Sequence, residues 1–276
     1  MTRPFRQVDV FTSIPYKGNP VAVVLDGTGL SSEEMQIVAR WTNLSETTFV
    51  LPPSRTEADY GVRFFTPDSE LPFAGHPTLG TCHAWLSTGR ASKHRDVIVQ
   101  ECGPRLVAVR RTKDGLAFAA PPSGRSTPVK PALVRHVAWM LRIEPAEIVD
   151  SHWSDLGPGW LAVLLSSADD VLALRPGPVD RYIGAVGPYS EGAAEAFEVR
   201  AFFPRNGSTG EDPATGSLNA SLAKWLLEGG RASAPYVARQ GTMLGRAGRV
   251  HISTDRGGNI WVGGGTITCI TGEVTL

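Results

Sequence analysis

The chain has 276 residues, 42% hydrophobic and 20% charged, with 27 Lys plus Arg set against 27 Asp plus Glu. That length suits two domains of ordinary size, and that composition describes a globular chain and not a disordered one. Zero formal charge offers no bulk attraction to nucleic acid or an anionic membrane, and no apolar run reaches the ~18 residues of a membrane span.

In chain order, Phe5 to Phe11 reads as a strand, Gly18-Asn19-Pro20 as part of a turn and Val21 to Leu25 as a buried strand. Ser31 or Ser32 caps a helix with Glu33 and Glu34 in its first turn and Met35, Val38, Ala39 and Thr42 on one face. Leu44 to Val50 and Asp59 to Phe65 follow as strands, then a helix over Pro77 to Leu86. Val97 to Glu101, Leu106 to Arg110 and Leu116 to Ala119 read as a meander. A Pro-, Ser- and Gly-rich stretch from Pro121 to Pro131 is the candidate linker, which divides the chain into halves of 1–125 and 126–276, with the last strand free to return to the first half. Beyond it come a helix over Ala132 to Leu141, a strand from Trp160, a short helix over Asp169 to Leu174, strands at Ile183 and Phe197, a helix over Pro213 to Leu227 and a strand-rich end. Strand-rich halves, each with one central helix, make an α+β architecture.

The halves echo one another. Val62-Arg63-Phe64-Phe65-Thr66-Pro67 is matched by Val199-Arg200-Ala201-Phe202-Phe203-Pro204, each leads to a small-residue turn opening a helix, and the helices run to Trp85-Leu86 and Trp225-Leu226. Aligned on those turns, His76 falls opposite Asp212, Gly80 opposite Gly216 and Thr81 opposite Ser217, the pattern of a duplicated domain.

Several polar residues interrupt this framework. Glu46 lies in a strand that is otherwise apolar or hydroxylic. Partly desolvated, it would have a raised pKa and serve as a base near neutrality; facing water, it is an ordinary strand carboxylate. Asp212, just before Pro213, is either an N-cap or a polar contact to substrate. His76 is not a favoured cap, so it is either a satisfied core histidine or a proton-handling group. Gly75, Gly216, Thr78 and Ser217 lie where a substrate carboxylate can meet helix-start N–H groups. The turns match neither the phosphate-binding loop nor the dinucleotide fingerprint. Cys82, Cys102 and Cys269 are odd in number and far apart, with no metal-type spacing, and no paired thiols stand at the two repeat helix starts. With no signal-peptide pattern at Met1, the expected compartment is the cytoplasm.

Four blocks make the chain similar to a known family: Asp9-Val10-Phe11-Thr12 with Gly18-Asn19-Pro20; Ser45-Glu46-Thr47; Phe65-Thr66-Pro67 with Glu70 and Pro72 to Thr78; and Gly210 to Ser217. It resembles the PhzF-like phenazine-biosynthesis family, of diaminopimelate-epimerase-like fold. The resemblance implies two pseudo-symmetric halves, each a curved, mostly antiparallel sheet wrapped around a central helix, with a cleft between them, a homodimer, and no metal or organic cofactor. It further implies an isomerase of a small unsaturated, cyclic amino or hydroxy acid. Glu46 moves the proton, and His76, Asp212 and Ser217 hold substrate groups or assist. The alternatives are an amino-acid racemase or epimerase, and a non-catalytic binding protein on the same fold.

Overall fold

The computed structural model describes residues 1–94, 96–121, 126–154 and 159–276. The chain divides into two compact units, Met1–Ala119 with Gly263–Leu276, and Ala120–Val262. Part of the linker candidate, residues 122–125, lies outside the described residues, while Pro131 already opens a helix.

The first unit contains β1 (Thr2–Val10), β2 (Asn19–Val24), α1 (Ser32–Thr42), β3 (Glu46–Leu51), β4 (Tyr60–Phe65), β5 (Glu70–Leu71), α2 (Gly75–Leu86), β6 (Val97–Cys102), β7 (Arg105–Thr112) and β8 (Gly115–Ala119). The second contains β9 (Ser126–Pro128), α3 (Pro131–Leu141), β10 (Asp150–Ser154), β11 (Trp160–Leu164), α4 (Ala168–Ala173), β12 (Ile183–Pro188), β13 (Phe197–Arg205), β14 (Ser208–Asp212), α5 (Gly216–Glu228), β15 (Tyr236–Gln240) and β16 (Gly248–Thr254). After β17 (Ile260–Gly264), β18 (Thr266–Thr275) pairs antiparallel with β1.

The pairing pattern repeats. In the first unit β1 is antiparallel to β2, β2 parallel to β3, β3 antiparallel to β4, β4 parallel to β6, and β6 antiparallel to β7. In the second, β10, β11, β12, β13, β15 and β16 follow in the same order and senses. Each leading parallel pair requires a crossover, supplied by α1 and α4. α1 starts at Ser31, whose side chain and that of Glu34 form a reciprocal capping box, and it buries Met35 and Ala39 against Val24, Phe49 and Phe65. The second core gathers Val137, Met140 and Leu141 with Leu161, Val163, Ile183 and Phe202.

Each unit wraps its sheet around one helix. α2 packs against β1, β2, β3, β6, β8 and β18, and its buried residues run from Gly75 through Trp85 with only His83 interrupting. The approach is close enough to demand a glycine: a Cβ on Gly80 would lie 2.3 Å from Val21 Cγ1. Around α5 the same closeness is met from the strand side, where a Cβ on Gly184 of β12 would lie 2.3 Å from Leu218 Cδ1.

The repeat register differs from the sequence alignment. Phe65 pairs with Glu70 and Phe202 with Glu211, and the helices begin at Gly75 and Gly216. Pro72 to His76 therefore corresponds to Pro213 to Ser217, so His76 is equivalent to Ser217 and not to Asp212. The second hairpin, β13–β14, is longer than β4–β5, and an alignment through the turns absorbs that insertion in the wrong place. Asp212 is consequently not a cap. It ends β14, and the cap position is Thr215. Pro213 likewise precedes its helix, whereas Pro77 sits inside α2.

Candidate active site

Glu46 opens β3, beside Val21 in the parallel β2–β3 pair. Its side chain is 15% exposed and that of His76 5%, so the carboxylate is neither the solvent-facing strand residue nor wholly enclosed. His76 is the second residue of α2, and its Nε2 lies 3.3 Å from Glu46 Oε2. Burial, opposed in part by a hydrogen bond with the Pro20 backbone, lowers the His76 pKa to about 3. At neutral pH the contact is therefore between a carboxyl group and an uncharged imidazole, not an ion pair. Nδ1 lies 3.3 Å from Nδ2 of Asn19, itself fully buried. Proline has no backbone N–H, so in the Pro20 hydrogen bond the ring donates and the carbonyl accepts.

The local sequence explains why Asn19 is there. Asp9 Oδ2 accepts the Gly18 N–H at 3.1 Å and so closes the turn leading into β2. A Cβ at Gly18 would lie 2.3 Å from the Val10 carbonyl oxygen, so only glycine lets the chain pass.

In the second unit, the Thr215 hydroxyl donates to Asp212 Oδ2. Gln240 ties this corner together: its Nε2 donates to the Asp212 carbonyl at 3.0 Å and to Thr215 Oγ1 at 2.9 Å, and its Oε1 accepts from the Thr215 N–H and Asn219 Nδ2. Ser217 is half-buried as the second residue of α5, and its Oγ accepts a hydrogen bond from Trp160 Nε1 at 3.1 Å. Tyr182 packs edge-on to Trp160, with ring centroids 5.4 Å apart.

Strand pairing fixes what stands at the position of Glu46 in the second unit. Thr47 pairs with Phe65 as Ile183 pairs with Phe202, so Tyr182 is the counterpart of Glu46. Ala22 pairs with Thr47 as Leu161 pairs with Ile183, so Trp160 is the counterpart of Val21. The structure thus brings Glu46 together with His76 in one unit, and Ser217 together with Trp160 and Tyr182 in the other.

Of the remaining sequence candidates, Gly75 and Gly216 are the first residues of α2 and α5. Thr78 is corrected to a packing role: it is fully buried, and its hydroxyl donates to the Ala74 carbonyl and accepts from Gln100 Nε2. Glu70 is engaged by Arg63. The sequence also offers the surroundings of Tyr189 and the stretch Trp153 to Trp160 as candidate specificity positions: Tyr189 donates to Glu198 at 2.6 Å, Trp153 packs against the second core, and residues 155–158 lie outside the described residues. Burial pushes the Cys82 thiol up to about 12, which marks it as inert. Sequence reasoning gave no role to Asn19, Tyr182, Thr215 and Gln240, and named Trp160 only as the end of a candidate specificity stretch. Gly18-Asn19-Pro20 was visible as a motif fragment, whereas the importance of Tyr182 emerges only from the strand register.

The chain is a two-repeat α+β fold with a carboxyl group against a neutral imidazole at one helix start and a hydroxyl at the equivalent helix start. The chain belongs to the phenazine biosynthesis-like protein family (PhzC-PhzF), whose profile matches residues 8–272. It is 36% identical to antisense-enhancing sequence 1 of Schizosaccharomyces pombe, over 98% of this chain and 97% of that protein. It is 35% identical to the trans-2,3-dihydro-3-hydroxyanthranilate isomerase of Pseudomonas fluorescens, over 87% of this chain and 86% of that enzyme. In fold it is similar to the PhzF-family phenazine biosynthesis protein of Bacillus anthracis, with a TM-score of 0.84 at 21% identity and full coverage of both chains.

Proposed function

We propose that this protein is an isomerase that moves a proton and a double bond within a small unsaturated, cyclic amino or hydroxy acid, without a cofactor. The observation that carries the reading is the contact between Glu46 Oε2 and a His76 ring that burial keeps neutral. A carboxylate that takes a proton from one carbon and returns it to another must serve first as base and then as acid. An imidazolium beside it would hold it ionised and oppose the second role. A neutral ring beside it adds no positive charge and leaves the carboxyl group able to do both.

In this reading Glu46 is the proton-transfer group, and Asp212, fixed by Thr215 and Gln240, and Ser217 are groups that contact substrate. The internal repeat argues against a two-base racemase. Racemisation needs a base on each face of one carbon, yet the counterpart of Glu46 is Tyr182 and the counterpart of His76 is Ser217. Similarity to an enzyme named for a dihydro-hydroxyanthranilate directs the choice of first substrate.

The test is proton NMR in D₂O with trans-2,3-dihydro-3-hydroxyanthranilate and a panel of unsaturated cyclic amino acids. Isomerisation or deuterium uptake at a defined carbon, abolished in Glu46→Gln, is the expected result. Turnover that survives Glu46→Gln would remove Glu46 from the chemistry, and folded protein that binds the acids but never exchanges a carbon-bound proton would mark a binding protein.

A further inference from the structure

A serine hydroxyl has one proton to donate and two lone pairs, and it normally rotates to suit whatever approaches. An indole nitrogen has no such freedom: it donates and never accepts. Trp160 Nε1–H points at Ser217 Oγ at 3.1 Å, so Ser217 is committed as acceptor toward the indole, and its own proton must turn elsewhere. No described residue receives that proton. Trp160 is itself rigidly held: it is 3% exposed at the start of β11, in register with Ser154 on one side, and its ring meets the edge of Tyr182. Tyr182 stacks in turn on Phe203, which fills the space beside Gly210, so the indole is backed by a continuous aromatic wall.

We infer that Trp160 is a positioning residue whose indole N–H turns the Ser217 hydroxyl outward as a fixed donor, selecting a substrate that presents a carboxylate oxygen there. This rests on the proposed isomerase reading, in which Ser217 touches the substrate. The repeat register supports it independently, because Ser217 and Tyr182 occupy the places that His76 and Glu46 occupy in the first unit. With one lone pair held by the indole and no described acceptor for the hydroxyl proton, an acceptor oxygen satisfies that proton, whereas an ammonium or amide N–H at the same place leaves it without a partner.

A double-mutant cycle tests the inference, with binding of 3-hydroxyanthranilate followed by titration calorimetry in wild type, Trp160→Phe, Ser217→Ala and the double variant. Phenylalanine keeps an aromatic ring at the site and removes the N–H. Loss of one hydrogen bond's orienting effect predicts about five- to tenfold weaker binding in Trp160→Phe and less than about twofold further weakening when Ser217 is already alanine. Equal losses in both backgrounds, or none in either, would overturn the inference while leaving the isomerase reading in place. Binding indifferent to Ser217→Ala would overturn the substrate-contact role of Ser217, and the inference with it.

Should Trp160→Phe not fold, the Trp160 indole proton resonance decides. It is expected to move upfield in Ser217→Ala. In wild type it is expected to shift downfield when 3-hydroxyanthranilate is added, because a hydroxyl that donates becomes a better acceptor. A resonance insensitive to the ligand would refute the donor assignment.

Discussion

The two hairpins that lead to the central helices, β4–β5 and β13–β14, carry the same triplet of side chains in different surroundings. Arg63 lies 5.0 Å from the Phe65 ring centroid and grips Glu70 with two hydrogen bonds; Arg200 lies 4.8 Å from the Phe202 ring centroid and grips Glu211 in the same bidentate way. The side chains of the first pair are 26% and 41% exposed, those of the second 5% and 12%. Their third contacts differ too. Arg63 reaches Ser32 Oγ at the start of α1, whereas Arg200 donates to the Val171 and Leu174 carbonyls at the end of α4, where a helix favours positive charge. Duplication supplied one motif twice, and burial decides whether it is a surface clasp or a structural joint.

The largest effect separates the units by chemistry. Glu46→Gln is expected to lower the rate of proton exchange by about 10³-fold or more with the fold retained, while Tyr182→Phe at the equivalent position changes it by less than about threefold. Exchange rates in D₂O and circular dichroism read both. A comparable loss in Tyr182→Phe would mean that the second unit also supplies a proton-transfer group, and would bring back a two-base mechanism.

Next in size is the contrast between the arginines. Arg200→Met strands a largely buried Glu211 and removes one donor each from the Val171 and Leu174 carbonyls, and is expected to cost about 3–5 kcal/mol in urea unfolding. Arg63→Met leaves Glu70 able to reach water and is expected to cost no more than about 1 kcal/mol. Equal costs would show that the difference in exposure has no energetic weight.

His76 and Ser217 differ in a way that pH exposes. The folded state keeps His76 neutral down to about 3, whereas an unfolded chain protonates it below about 6.5. Between those values the unfolded state binds more protons, so this contribution to stability is complete above pH 6.5. It is lost as pH falls toward 3, by at most about 1.4 kcal/mol per pH unit. His76→Gln is expected to flatten the change in urea midpoint between pH 7 and pH 4.5, and Ser217→Ala to leave it as in wild type. An unchanged slope in His76→Gln would mean that His76 titrates normally in the folded protein.

These contrasts also mark how far the sequence could be read. The strands and both central helices were legible because their apolar framework, from Val62-Arg63 to Trp85-Leu86 and again from Val199-Arg200 to Trp225-Leu226, follows strand and helix periods. Glu46 and His76 stood out as polar interruptions of that framework, and the structure brings them together. The repeat register was not legible. It depends on the length of the β13–β14 hairpin, and only the pairing of Phe202 with Glu211 reveals that the extra residues lie before the turn. Thr78 was misread for a related reason: a hydroxyl at a helix start looks available until the buried Gln100 partner on β6 is seen. Tyr182 carried no signal, and Trp160 only closed a candidate specificity stretch, because an aromatic at a strand start reads as core unless its ring partner is known.

The smallest effect tests whether the crossover helices repeat the contrast. Ser31 and Ser167 each accept a backbone N–H three residues on, from Glu34 and Asp170, and each donates its hydroxyl to that residue's carboxylate. Only the α1 cap is a full box, with Glu34 also taking the Ser31 backbone N–H. In Ser31→Ala that backbone bond remains, so a loss of about 1 kcal/mol is expected. α4 has six residues, too few to hold themselves, but Arg200 fastens its far end. Ser167→Ala is therefore expected to cost a similar amount in wild type and distinctly less in an Arg200→Met background, where α4 is already loosened. Additive losses in that pair, measured by urea unfolding, would show that the cap and the arginine hold α4 independently, and that the buried joint does not extend through the helix.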